Sequence, residues 1–423
     1  MMAKICRVMA GVAMVALPAA AMPQIGLPSL PTPRGGIDGL ARPLLDTLDL
    51  DRLSPDAVAR QLRSARLDRL TGFVRTHRDR VEFDAVRAPA LRGVLLATGV
   101  AGADRARAIA AGYRIIDEEV IAELDLTFVR FALPEGLPLG KAQRQLAALM
   151  PAAEIAADNL YFPSGGLPPA ASLGALAAAQ TGGPGGARIG LIDSGVGPLP
   201  GLSTRVVQKG FATGAPRAGD HGTAVAALAL GAAGSGSALY AADVYGTDAT
   251  GGTASAIARA LGWLSGQQAA VINISLVGPD NALVHAAIAR AQAKGALIVA
   301  AVGNDGPAAP PAFPAAQFGV LAVTGVDTSG RVLPEAGRGK HVAFAAPGRS
   351  LAPAAGGGKS VTVRGTSFAA PLVAGRLAQL YPAPAPGRIE TAVRGLIGQA
   401  RDLGRKGRDP VYGHGLVCGD CGR

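Results

Sequence analysis

From Ala187 onward, short apolar runs rich in Val, Ile, Leu and Ala alternate with longer stretches whose apolar residues recur at helical spacing. The runs "RIGLID", "ALYAADVYG", "AVINISL", "ALIVAAVG", "VLAVTGVD" and "VAFAAPG" read as strands, and "TASAIARALGWL" and "NALVHAAIARAQAK" read as helices. That alternation predicts an α/β domain over residues 186–423, a mainly parallel sheet with helices on both faces. Between Gly93 and Phe162 the pattern is different: "GVLLATGV", a helical "ADRARAIAAGY", a strand-like "LTFVRFAL", a helical "GKAQRQLAALM" and "AEIAADNLYF". It predicts a small ferredoxin-like α+β unit over residues 93–163, its sheet covered by two helices. Ahead of it, residues 22–92 form an extension with helical spacing in "LSPDAVARQLRSARLDRLTGFVRTH". Residues 164–185, dense in Gly, Pro and Ala and almost free of charge, read as a linker with one short helix.

Length and composition agree with more than one folded unit. A chain of 423 residues exceeds the roughly 250 to 300 residues at which a single core stops growing. The 49% hydrophobic fraction with only 4% aromatics points to small-residue packing in a globular protein and argues against disorder. At the start, "MMAKICRVMAGVAMVALPAAAMP" sets Lys4 and Arg7 before an apolar run that ends in Ala19, Ala20 and Ala21. This is the pattern of a secretory signal over residues 1–21, cleaved after Ala21. A membrane anchor would need about 20 apolar residues, and this run is shorter and carries Pro18. No later segment is long and apolar enough to span, so the expected location is the periplasm or the medium.

Cysteine usage fits export: Cys6 would leave with the signal, and Cys418 and Cys421 stand in "CGDC", where a short local disulfide is the natural pairing. Neither a redox helix start nor a second ligand pair for a metal accompanies them. The net charge of +11 comes from dispersed arginines, many interleaved with Asp between Arg34 and Arg92. That is the pattern of a solvated face. Without an aromatic-interleaved basic stripe, it does not define a nucleic-acid binder.

In parallel α/β sheets the working groups gather at the carboxyl ends of the strands. "RIGLID" ends on Asp193; alone, such an Asp is commonly a turn or cap residue. Of the five histidines, His77, His221, His285, His341 and His414, only His221 stands at the head of an apolar helix, in "GDHGTAVAALALG". It could be a core histidine or a general base. "ALIVAAVGNDGP" runs into Gly303 and Asn304, where a carboxamide is either a turn residue or a donor aimed at an oxyanion. "RGTSFAAPLVAG" puts Ser367 at a helix start, as a cap or as a nucleophile at the positive end of the helix dipole.

Taken together, "LIDSGV", "HGTAVA", "VAAVGNDGP" and "GTSFAAPLVAG" resemble, in order and at similar spacing, the four signature blocks of subtilisin-like serine peptidases. The resemblance covers Gly186 to about Val417. It implies a catalytic triad of Asp193, His221 and Ser367, with Asn304 as side-chain oxyanion donor. "NISLVG" resembles the family's substrate-binding strand. This implies that Ser275, Leu276, Val277 and Gly278, with Ala300, Ala301 and Gly303, wall the pocket for the residue before the scissile bond. Residues 93–163 resemble a subtilisin propeptide, which implies an inhibitor of the same chain, released by self-cleavage between about Tyr161 and Gly186. "PAFPAAQFGVLAVTGVD" resembles a family segment with a cis aromatic-proline bond, here Phe313-Pro314. Pro371 is expected near the first turn of the Ser367 helix, where N–H groups lack intrahelical partners.

The chain departs from the family pattern at Ala224 and Leu372, where a second histidine is frequent; neither belongs to the triad. Ser164 to Ile192 holds no Asp or Glu, so no cofactor is expected and calcium lacks a clear site. The G-x-S-x-G elbow of α/β-hydrolases is absent. "GGGKS" has Pro353 where a phosphate-binding loop needs Gly, and more simply links two strands. Two other readings stand beside a secreted endopeptidase acting on polypeptides: a catalytically silent binding module, and a transpeptidase on the same fold.

Overall fold

A helix of 22 residues, α1 (Pro55–Thr76), leads the described chain and buries Leu62, Ala65, Phe73 and Val74 between exposed arginines. The structure, a computed structural model, describes residues 55–164, 186–356 and 360–421. The signal read at 1–21, the extension up to residue 54 and the linker over 165–185 lie outside the described residues.

Next come β1 (Val81–Phe83), β2 (Pro89–Thr98), α2 (Gly102–Ala110), β3 (Arg114–Ile121), β4 (Leu126–Ala132), α3 (Leu139–Leu149) and β5 (Glu154–Asn159). They build an antiparallel sheet in the order β1-β2-β4-β3, with β5 alongside β2. Side chains alternate across the pleat. Leu95, Ala97, Val129 and Phe131 face the two helices, whereas Leu96, Leu126 and Phe128 join the core of the larger domain. The expected two-helix cover is therefore present. The sheet begins ahead of Gly93, however, because β1 and the first residues of β2 precede it.

β6 (Phe162–Pro163) crosses to the larger domain, which follows as β7 (Arg188–Asp193), β8 (Val206–Gly210), α4 (Asp220–Ala233), β9 (Ala238–Asp243), α5 (Ala254–Gly266), β10 (Val271–Ile274), β11 (Leu276–Val277) and α6 (Ala282–Ala293). The chain continues through β12 (Leu297–Ala301), β13 (Leu321–Val326), β14 (Val342–Pro347), the antiparallel pair β15 (Arg349–Pro353) and β16 (Ser360–Arg364), then α7 (Thr366–Leu380) and α8 (Ile389–Gln399). Seven parallel strands lie in the order β14-β13-β12-β10-β7-β9-β8. The chain works outward from β7 to β8, returns through β9 and resumes at β10 on the other side, so a topological switch point falls beside β7.

α4 and α7 cover one face of the sheet, α5 and α6 the other. A Cβ at Gly375 of α7 would fall 2.3 Å from the Ala229 carbonyl of α4, so these two helices meet backbone to backbone, which accounts for their wealth of Ala and Gly. Thr253 caps α5 by accepting from the Ala256 N–H, and Asn281 caps α6 by accepting from Leu283 and Val284. Each cap contributes about 1 kcal/mol. Cys418 and Cys421 are disulfide-bonded, and Phe313-Pro314 is cis, as is Ala215-Pro216, which nothing in the sequence singled out.

Candidate active site

Asp193, the last residue of β7, is fully buried at the switch point. A carboxylate so far from water needs its oxygens satisfied. The Ser194 N–H donates to Oδ1 at 2.7 Å, and His221 Nδ1, on the second residue of α4, lies 2.9 Å from both oxygens. Asp193 accepts only if the imidazole carries its proton on Nδ1, which leaves Nε2 as the basic nitrogen. The ring also packs against Phe368, centroids 5.3 Å apart.

Ser367 is the second residue of α7 and is fully buried in the occupied cleft. Gly365 just before the helix has φ +136°, in the region that favours glycine, and so lets the chain turn sharply from β16 into α7. The structure corrects the expectation for Pro371, which falls in the second turn because α7 starts at Thr366. Its missing N–H would have bonded the Ser367 carbonyl four residues back. Ser275 Oγ donates to that carbonyl instead, at 2.9 Å, and Asn273 Nδ2 donates to Ser275 Oγ at 2.9 Å. The Ser275 carbonyl in turn accepts from Ser367 Oγ at 3.0 Å.

Asn304 follows Gly303 at the open end of β12. Its Oδ1 accepts from the Thr366 N–H at 3.1 Å, while Gly303 N donates to Thr366 Oγ1 at 3.2 Å. Its Nδ2 is buried and finds no acceptor among the described residues. An unsatisfied buried donor costs about 1–3 kcal/mol, a cost that an atom placed to receive a ligand would recover. It sits beside the first turn of α7, where free backbone N–H groups favour an anion.

The cleft is filled by the chain's own segment Leu160 to Ser164. Tyr161 N donates to Gly252 O at 2.8 Å, Phe162 and Pro163 pair antiparallel with Val277 and Leu276, and Ser164 N donates to Ser275 O at 3.3 Å. Ser164 Oγ touches Ser367 Oγ. Ser164, read as the start of the linker, thus extends the docked segment one residue beyond β6. Tyr161 is fully buried, its ring lying where a Cβ on Gly278 would come within 2.5 Å, and its hydroxyl donates to Pro279 O at 2.9 Å. Burial pushes that hydroxyl well above its ordinary range, so it stays a neutral donor.

Of the residues read as pocket walls, Ser275 to Gly278 line this strand. Ala300 and Ala301 are buried within β12, and a Cβ on Gly303 would meet Val277 at 3.5 Å. Sequence reasoning missed Tyr161, Ser164, Gly252 and the anchoring hydroxyl of Ser275. The proline six residues into α7 was the one available signal for that hydroxyl.

More of the N-terminal region is tied down around the cleft. Arg66 and Arg69 of α1 reach Asp305 at 2.9 and 2.8 Å, next to Asn304, and Phe73 stacks edge-on against Phe162 with centroids 5.3 Å apart. Asp158 accepts from Ser255 N at 2.9 Å and from Ser255 Oγ at 2.7 Å at the start of α5. Its burial raises its pKa despite both bonds.

A parallel α/β sheet that carries acid, imidazole and hydroxyl in that chain order to its switch point has the architecture of a subtilisin-type serine hydrolase. Comparison with known proteins agrees: the Subtilase family, peptidase S8, matches residues 185–415, and the chain belongs to that family. The chain is 30% identical over 244 residues to the minor extracellular protease Epr of Bacillus subtilis, a match covering 54% of this chain but only 37% of that protein. It is 33% identical over 246 residues to Subtilisin BL of Lederbergia lenta, covering 55% of this chain and 88% of that one. Among solved structures, fervidolysin from Fervidobacterium pennivorans shares the fold with a TM-score of 0.62 at 19% identity, over 79% of this chain and 61% of that one.

Proposed function

We propose that this chain is an exported serine endopeptidase made as a self-processing precursor. The observation that carries the reading is the segment Leu160 to Ser164, whose β6 residues Phe162 and Pro163 pair antiparallel with Val277 and Leu276 and which ends against Ser367, as a bound peptide would. In the reaction, Ser367 Oγ attacks the scissile carbonyl carbon while His221 Nε2 takes its proton. Asp193 holds the imidazole tautomer and stabilises the imidazolium. Asn304 Nδ2 and the Ser367 N–H hold the oxyanion until the C–N bond breaks and His221 hands its proton to the departing amine. Water, activated by the same imidazole, then releases the acyl group.

On this reading the first self-cleavage breaks the Ser164-Gly165 bond, and residues 55–164 remain as a product-like inhibitor. Mass spectrometry of the purified full chain should find a fragment ending at Ser164 and its complement starting at Gly165, both missing from Ser367→Ala. A first cut elsewhere, or equal cutting in the variant, would overturn the reading. Export is supported by the leader pattern and by the extracellular relative; among the described residues no helix is long and apolar enough to cross a membrane.

Inhibitor retention should depend on pH through Asp158. Docking buries this carboxyl and raises its pKa, so docking takes up a proton. Its favourable contribution is complete below the ordinary carboxylate value and is lost as pH rises through the raised one. Asn at this position mimics the protonated acid. After cleavage, Asp158→Asn should therefore hold the prosegment better than wild type at about pH 8, with the difference shrinking toward about pH 4. Gel filtration of the processed complexes reads it, and parallel pH curves would contradict it.

A further inference from the structure

We infer that Glu335 and Arg364 are positioning residues that fix Asn304 relative to Ser367; the inference rests on the peptidase reading. Glu335 is fully buried, and Arg364, the last residue of β16, stands three residues before Ser367. The guanidinium meets the carboxylate side by side, Nε to Oε1 at 2.8 Å and Nη2 to Oε2 at 2.9 Å. Such a planar fork fixes orientation as well as distance. The same short segment holds the loop that carries Asn304 at both ends. The Glu335 carbonyl accepts from Gly306 N at 2.8 Å, and Gly337 N donates to Gly303 O at 3.0 Å. Glu335 thus joins the strand that delivers the nucleophile to the loop that delivers the oxyanion donor.

Among the described residues these two segments also meet directly through the Thr366 N–H to Asn304 Oδ1 bond and the Gly303 N to Thr366 Oγ1 bond. Both hang on side chains at the reacting centre, whereas the Glu335 link is anchored on backbone at one end and on an ion pair at the other. An apolar pair of similar volume would serve stability comparably, since an ion pair between fully buried Glu335 and partly exposed Arg364 is weak support for folding. What the charged fork adds is registry between Asn304 and Ser367. A misplacement of about 1 Å in such a constellation costs on the order of 10²-fold in rate.

The test is a set of full-chain variants, Arg364→Lys, Glu335→Gln and the double Arg364→Met with Glu335→Leu, each made with and without Asn304→Ala. Peptide hydrolysis and thermal melting are measured for all. With Asn304 present, kcat should fall about tenfold to 10²-fold while KM stays within about twofold. The double variant should melt near wild type and still show the loss. In the Asn304→Ala background the same changes should cost less than about twofold, since the donor they place is gone. Equal losses in both backgrounds, or full kcat in the double variant, would overturn the inference while leaving the peptidase reading intact. A wild-type chain that hydrolyses no peptide would overturn both.

Discussion

Ser367→Ala should fold, keep its N-terminal region uncut and lose peptide hydrolysis on the order of 10⁶-fold, the loss that removing the serine or the histidine causes in subtilisin itself. The substitution removes one oxygen. It forfeits the bond to the Ser275 carbonyl and the contact with Ser164 but leaves the Ser275 hydroxyl on the Ser367 carbonyl and the Thr366 N–H on Asn304 Oδ1 in place. The stability change should stay within about 1–2 kcal/mol, the worth of one exchanged hydrogen bond. Residual turnover, on the order of 10³-fold over water, would come from the oxyanion donors and binding alone. Kinetics on a peptide amide and the size of the purified chain check this; a processed, active variant would refute the assigned nucleophile.

Asn304→Ala should lower kcat by about 10²- to 10³-fold with little change in KM, again the size known for the side-chain oxyanion donor of subtilisin. Among the described residues the amide nitrogen has no acceptor, which leaves it available to the developing oxyanion. Its oxygen does a separate job, accepting from the Thr366 N–H. Alanine therefore also orphans a backbone donor, at about 1–3 kcal/mol of stability. Asn304→Asp separates the two roles: it keeps the acceptor, loses the donor and sets a negative charge where the oxyanion forms. Its kcat should fall at least as far as that of alanine, with a melting temperature nearer wild type. Equal kcat for wild type and both variants would remove Asn304 from the mechanism.

Much of the fold was legible because its inner strands are buried on both faces and so appear as apolar runs. Each of the six strand runs read in the larger domain contains a strand of its parallel sheet, and "AVINISL" also enters β11 at Leu276. The strands that escaped are marginal ones. β3, with Asp117, Glu118 and Glu119, and β8 are mostly exposed edge strands, where charge guards against unwanted pairing and erases alternation. β1 and β6 are too short to show a period. The four candidate site residues were legible because each stands where an apolar run begins or ends. Pairing between distant segments leaves no such mark. "LYFPS" reads as a strand end followed by a linker, and only the fold reveals that it adds a strand beside Leu276 and Val277. Nor does sequence disclose that Glu335 and Arg364, apart in the chain, close on each other beside the nucleophile.

The most direct test of the account is to treat the purified protein with a serine-reactive fluorophosphonate, wild type beside Ser367→Ala, and to map the labelled peptide by mass spectrometry. The account predicts label on Ser367 in processed wild-type protein and none in the variant. Protein freed of residues up to Ser164 that takes no label, or label on another serine, would contradict it.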